Sequence, residues 1–437
     1  MESRWQHVTI ASVSEKIGIG PFGSSIPVRS FVSEGVPVIS GQHLRGSRLE
    51  DKDFNFVSPE HADRLASASV KRGDVIFTHA GSIGQVAYIP GNSQYEHYVL
   101  SQRQFYLRPN KSLVLPEYVV YYFKSPVGRH LLLANASSSG VPSIVQPVSY
   151  LRTIRIPLPS LPEQHAMVRV LGALDDKIEL NRRMNETLEA MARALFTSWF
   201  IDFDPVHAKA EGRDPGLPIE IAALFPDAFQ DSELGEIPKG WDVKRLADLC
   251  STQYGYTASA VNEPVGPKYL RVTDINKRNW IRWSDVPYCA IDADARHVYA
   301  LHVGDLIVAR MADPGKSAII EEEIDAVFAS YLVRLKTASL AQSYYIYGFL
   351  KSDLYTEYAK GAKSGSVQAN MNAKVIVDVG CVVPPPALIQ RYVNAVLPLR
   401  WRLVASSHES HTLATLRDML LPMLMSGELR VPANQQV

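Results

Sequence analysis

Apolar residues along this chain fall into two kinds of pattern. Short runs such as Val75-Ile76-Phe77 and Leu306-Ile307-Val308 follow a Gly-Asp turn and end on polar tips, the pattern of short buried strands. Two much longer stretches carry apolar residues at three-and-four spacing, the pattern of helices with one buried stripe. The first runs from about 163 to 200 through Leu171, Leu174, Ile178, Leu188, Leu195 and Trp199, with Met184 and Met191 widening the stripe. Asn181 falls on this seam, where a buried amide can fix register. At ~1.5 Å per residue the helix spans roughly 55 Å. The second runs from about 387 to 421 through Val393, Leu397, Leu403, Leu413, Leu416 and Leu420. Pro398 lies inside it and predicts a kink or break, and Pro422 and Gly427 predict its end.

The short pattern occurs twice. Gly73-Asp74-Val75-Ile76-Phe77-Thr78-His79 aligns without a gap on Gly304-Asp305-Leu306-Ile307-Val308-Ala309-Arg310, and Gly84 to Ile89 on Gly315 to Ile320. Tyr118 to Ser125 matches Tyr345 to Ser352, and Trp5 and Trp241 each open a unit. Both units then pass through a polar loop, a β-rich run and a proline stop into a long helix. These observations predict an α+β chain with a pseudo-twofold internal repeat. Two globular α/β units are separated by two long antiparallel, coiled-coil-like helices. The expected boundaries are 1–160 for the first unit, 161–203 for the central helix, 204–385 for a linker and second unit, and 386–437 for the distal helical region.

Charge and composition narrow the reading. The 45 Lys+Arg balance 45 Asp+Glu, so a surface that binds nucleic acid has to be local or completed by a partner. The 3 cysteines, Cys250, Cys289 and Cys381, lack metal spacing and read as buried thiols in a reducing compartment. No secretory leader and no run of membrane-span length is visible, so a cytoplasmic location is expected. Several motifs imitate catalytic ones. Gly18-Ile19-Gly20-Pro21-Phe22-Gly23 spells GxGxxG, but Pro27 argues against the helix a dinucleotide needs. Asp313-Pro314-Gly315-Lys316-Ser317 resembles the end of a P-loop, yet Arg310 stands where the first Gly belongs and a strand is expected after it. His408 and His411 lack a third metal ligand. No metal site, methyltransferase, nuclease or helicase motif is read, which favours a non-catalytic binder.

Several segments resemble one family in order. Pro157-Leu158-Pro159-Ser160-Leu161-Pro162-Glu163-Gln164, Leu174-Asp175-Asp176-Lys177-Ile178-Glu179-Leu180-Asn181 and Leu195-Phe196-Thr197-Ser198-Trp199-Phe200 resemble the central conserved region of type I restriction–modification specificity subunits, the HsdS family. Ser232 to Trp241 is similar to that family's lead into a second recognition domain, and Leu416 to Leu429 to its distal conserved end. One departure is Pro386-Ala387-Leu388-Ile389-Gln390, which lacks the Glu of Glu163-Gln164.

The resemblance implies two target-recognition domains, each reading half of a bipartite double-stranded DNA site. It implies helices that set the gap between the halves and dock two methyltransferase subunits, and two restriction subunits as possible further partners. S-adenosylmethionine belongs to the methyltransferase partner, ATP and Mg to the restriction partner, and no cofactor to this chain. The rival reading is a two-headed regulatory or structural DNA-binding protein without a methyltransferase.

Base readout needs polar side chains that reach base edges, and the polar tips of matched segments supply candidates. In the first domain these are Gln42, His43, Arg45, Thr78, His79, Ser82, Gln102 and Arg103. In the second they are Thr273, Asp274, Lys277, Arg310, Lys316, Tyr331, Ser366, Gln368 and Asn370. The outer apolar positions Met184, Met191, Phe196 and Trp199 are the candidate subunit-docking surface.

Overall fold

A computed structural model describes residues 5–23, 25–137, 140–363 and 370–432. Its contacts divide the chain into two units. The first joins Met1–Glu179 to Thr412–Val437, and the second is Leu180–His411. Two long helices, α1 (Leu161–Phe200) and α2 (Pro386–Ser426), each contribute a part to both units.

The duplication extends to strand order. The first unit holds a four-stranded antiparallel sheet ordered Ser14–Ile19, Gln104–Pro109, Val75–Thr78, Val86–Tyr88. The second repeats it as Cys250–Tyr254, Leu332–Thr337, Leu306–Ala309, Ser317–Ile319. The central strands Val75–Thr78 and Leu306–Ala309 are buried throughout, which explains their unbroken apolar runs. Beside each sheet lies a parallel pair: Val36–Ile39 with His97–Leu100, and Lys268–Leu270 with Ala326–Phe328.

The Gly-Asp motif proves to be a structural turn. The Asp74 carboxylate accepts from the Lys71 amide at 2.9 Å and from Arg108 Nε at 2.8 Å. Asp305 accepts from the His302 amide at 3.0 Å and from Arg334 Nη1 at 3.2 Å. The hairpin that follows needs left-handed backbone at two matched positions. Gly81 (φ 83°) corresponds to Ala312 (φ 62°), and Gly84 (φ 84°) to Gly315 (φ 89°). Strand Ser317–Ile319 follows Gly315, where a nucleotide-binding loop would open a helix. Gly18 likewise lies within strand Ser14–Ile19, and the next regular element is the short 3-10 turn Val28–Ser30.

The long helices run antiparallel in each unit. In the first, Asp175 of α1 accepts from Arg417 of α2 at 2.7 Å, and Leu171 shares a core with Leu421 and Leu424. In the second, Asn181 Nδ2 donates to the Ser406 carbonyl at 3.4 Å and to Glu409 at 2.9 Å, and further along Phe196 packs on Tyr392. Pro398 neither breaks nor ends α2, contrary to expectation. Val396, Arg400 and Leu403 are buried on either side of it, and that packing outweighs one missing backbone hydrogen bond. Pro422 is also internal, and Gly427, at φ 78°, follows the helix end at Ser426.

The linker contains the short helix Ile219–Ala222 and a hairpin of Phe229–Ser232 with Gly235–Pro238. No helix among the described residues is long and apolar enough to cross a membrane.

Candidate nucleic-acid interface

The candidate surface is built where adjacent strands end. In the first unit, Thr78 pairs with Gln104, and the next step outward joins the His79 amide to the Arg103 carbonyl at 2.9 Å. In the second, Ala309 pairs with Leu332, and the Arg310 amide donates to the Tyr331 carbonyl at 2.9 Å. The following residue bridges an incoming segment in both: Ala80 to Ser143, Met311 to Asn370. The amides of Ile144 and Met371 close the arrangement by donating to the His79 and Arg310 carbonyls, each at 2.8 Å. On the outer strand Ile19 faces Phe105, as Tyr254 faces Val333.

Four backbone positions are therefore equivalent and carry different side chains: Ile19 and Tyr254, His79 and Arg310, Arg103 and Tyr331, Ser143 and Asn370. Sequence matching found His79, Arg310, Arg103, Tyr331 and Asn370. It missed Ile19, Tyr254 and Ser143, which only strand pairing reveals. Spacing from His79 to Ser143 and from Arg310 to Asn370 differs, so no ungapped match extends to them.

The side chains of this surface differ in freedom. His79 Nε2 lies 3.1 Å from the Gln102 carbonyl, and burial lowers the pKa of the imidazole, favouring the neutral ring. Gln102 donates to the Gly23 carbonyl, while Arg103 is exposed. Arg310 is restrained: its guanidinium lies over the Tyr254 ring at 5.0 Å, and Nη2 points to Asn370 Oδ1 at 3.4 Å. Its Nε is buried without a hydrogen-bond partner among the described residues. Tyr254 and Tyr331 are both substantially exposed. Ser82 and Lys316 are exposed on the matched hairpins beside these ends.

Gln42, Arg45, Thr273 and Lys277 lie on or beside the short helical turns that follow the parallel strands. Gln42 is exposed and donates to the Asp53 carbonyl at 3.1 Å. Arg45, Thr273 and Lys277 are exposed. Ser366 and Gln368 lie outside the described residues.

Five expectations are corrected. His43 is buried, and its Nδ1 accepts from the Ser40 amide at 2.9 Å, so the ring caps a turn. Burial lowers its pKa as well. Thr78 is buried and donates to Gln85 at 3.1 Å. The Asp274 carboxylate is occupied by the Arg271 amide at 2.9 Å and by the Arg271 guanidinium at 2.9 and 3.0 Å. Phe196 and Trp199 are 1% and 3% exposed in the core of the second unit and offer nothing to a partner. Their stripe faces Tyr392 and, for Trp199, also Phe225, because the globular unit covers this end of α1. Met184 is half-buried and Met191 exposed. The exposed apolar positions on the long helices that sequence reading missed include Leu180 on α1 and Trp401 and Met419 on α2.

Fold and surface together define a duplicated α+β protein with paired long helices and two corresponding polar sheet ends. Residues 3–190 match the model of the type I restriction modification DNA specificity domain. The chain is 24% identical to the type I restriction enzyme HindI specificity subunit of Haemophilus influenzae, over 98% of this chain and 100% of the relative. It is 27% identical to the MjaIX specificity subunit of Methanocaldococcus jannaschii, over 82% of this chain and 78% of that protein. In fold it is similar to the crystal structure of a type I restriction–modification S subunit from M. genitalium, with a TM-score of 0.55, 15% identity, and coverage of 97% and 96% of the two chains. Over residues 3–190 by family model, and over most of its length by the HindI and MjaIX relatives, the chain is similar to type I restriction–modification specificity subunits.

Proposed function

We propose that this chain reads a bipartite double-stranded DNA site, one half with each sheet end, on behalf of a type I methyltransferase. The observation that carries the reading is the pair of equivalent surfaces. One backbone frame presents Ile19, His79, Arg103 and Ser143 in one unit and Tyr254, Arg310, Tyr331 and Asn370 in the other. A constant frame with exchanged side chains suits two half-sites of different sequence, since base edges are distinguished by the donors and acceptors that meet them. Arg45, Lys277 and Lys316, exposed on neighbouring turns, suit phosphate contacts that set position.

The chain contributes recognition and assembly, and the chemistry belongs to its partners. S-adenosylmethionine is bound by two methyltransferase subunits, and ATP and Mg by restriction subunits where these join. The docking faces are the exposed apolar residues of the long helices. Met191 and Leu416, at corresponding positions of α1 and α2, are 51% and 44% exposed, which supports two similar faces and two partner copies.

Expressing the chain with its methyltransferase in a methylation-free host, then mapping modified adenines, tests the reading. A two-part motif with a fixed unspecified gap is the expected result. An uninterrupted motif, or no methylation, overturns it.

A further inference from the structure

The geometry points to a specific reader and a specific base: Arg310 recognises a guanine in the half-site of the second unit. This rests on the DNA-reading function proposed above and adds the identity of one base pair.

Three features separate half-buried Arg310 from the exposed cations around it. First, its backbone is fixed on both sides, by the amide bond to Tyr331 and the carbonyl bond from Met371. The side chain therefore starts from a rigid sheet end. Second, the guanidinium lies over the Tyr254 ring in a cation–π contact, with 5.0 Å from Cζ to the ring centroid. Tyr254 is itself tied down, because its hydroxyl accepts from the Ala373 amide at 2.9 Å. Close approach of the Tyr254-Gly255-Tyr256 segment depends on Gly255, where a Cβ would overlap the Ala329 carbonyl. Third, Arg310 has donors to spare. Among the described residues its one side-chain hydrogen bond is a long contact of 3.4 Å from Nη2 to Asn370, which leaves the terminal N–H groups for a ligand, while Nε is buried.

A planar guanidinium held over an aromatic ring, with terminal N–H groups unspent, is the group that pairs bidentately with guanine O6 and N7 in the major groove. Preorganisation by Tyr254 lowers the entropy lost on contact, which is the difference between a reader and a freely moving phosphate contact. The same position in the first unit is His79, held near the Gln102 carbonyl, so that unit uses other chemistry there.

The test uses the full chain in its methyltransferase complex and reads methylated motifs in the host genome. Replacing residues 204–385 with those of a relative first identifies which half of the motif belongs to the second unit. That half is expected to contain a G·C pair. Arg310→Ala and Arg310→Gln are expected to relax that pair, with discrimination falling about tenfold or more, while every other position stays as it was. Arg310→Lys, which keeps the charge and loses the fork, is expected to relax it too. Tyr254→Leu, which removes the platform, is expected to relax the same pair to a smaller degree. A wild-type half without a G·C pair overturns the inference even before any variant is made. So does a variant that weakens methylation uniformly at all sequences, which marks a phosphate contact, or one that leaves the motif unchanged. Complete loss of methylation in one variant is resolved by the wild-type motif and by Arg310→Lys. Loss of any motif in the wild type removes the DNA-reading function itself, an outcome distinct from the others.

Discussion

At the scale of single residues, burial decides which polar groups are available and what they cost. Lys124 and Lys351 occupy matched places in the two units, and burial pushes both ammonium groups down to about 8. Lys351 Nζ donates to the Ser317 carbonyl at 2.6 Å and lies 5.4 Å from the centre of the Tyr347 ring. Glu189 favours its charge, whereas Arg400, Lys316 and Arg193 oppose it. The folded value lies below the ordinary 10.5, so between about 8 and 10.5 the unfolded chain binds more protons and this group makes stability rise with pH. Lys351→Met is therefore expected to stabilise the second unit by about 1–3 kcal/mol at pH 7. The gain should shrink towards pH 10, where the wild-type lysine is already neutral. Urea unfolding at the two pH values checks this, and an equal gain at both, or a loss at pH 7, rejects it. Burial also separates what the sequence discloses from what it hides. His79 and Arg310 were legible as polar tips because a Gly-Asp turn marks the register of each strand. His43, Thr78 and Asp274 carry the same signature, and nothing local reveals that their polar atoms are spent on turns and neighbours. Tyr254 was invisible because its role depends on a strand pairing across a long sequence separation.

At the scale of elements, the two long helices carry buried charge in an unexpected way. Asp175 of α1 and Arg400 of α2 occupy corresponding positions and have opposite charges. Asp175 accepts from Arg417 at 2.7 Å, Ser47 at 2.8 Å and Tyr121 at 2.9 Å. Arg400, 2% exposed, donates to Glu321 Oε1 at 2.7 Å and Oε2 at 2.5 Å, and to Glu189. Each node is complementary in its own unit. Arg400→Ala leaves two buried carboxylates facing each other and should cost about 3–5 kcal/mol, whereas replacing Arg400, Glu189 and Glu321 together by Met should recover most of it. Urea midpoints of the single and triple variants decide the matter, and a cost below about 1 kcal/mol for Arg400→Ala would refute the account. The docking faces are tested separately. Met191→Glu with Leu416→Glu changes exposed positions, so stability should move by no more than about 0.5 kcal/mol. Methyltransferase should nevertheless fail to co-elute in sizing chromatography, and either single variant should retain one copy. Unchanged co-elution of the double variant sinks the assignment. The helices themselves were legible from period alone. Burial of Phe196 and Trp199 was not, because a stripe that faces a helix and a stripe that faces a globular unit share one spacing.

At the scale of the whole molecule, duplication is the property that sequence discloses most fully and on which the proposed function rests. The gap-free match from Gly73 to Ile89 on Gly304 to Ile320 corresponds to two sheets of identical strand order. The zero net charge leaves recognition to local features, in keeping with an interface defined by a few side chains at each sheet end. If each unit is an independent reader, the halves of the motif must be separable by exchange. Replacing residues 1–160 with those of a relative of different specificity should alter one half of the methylated motif and leave the other as it was. Arg103→Ala, in the same unit, should act within that same half, whether it loosens one base pair by about 1–3 kcal/mol or weakens the half as a whole. The exchange keeps α1 and α2, so the docking faces and the Asp175–Arg417 pair are preserved and loss of assembly cannot imitate a change of specificity. Genome-wide mapping of methylated adenines gives the two half-sites directly. A motif that changes in both halves after the exchange would show that the units read DNA jointly, and the equivalence of the two sheet ends would then need another explanation.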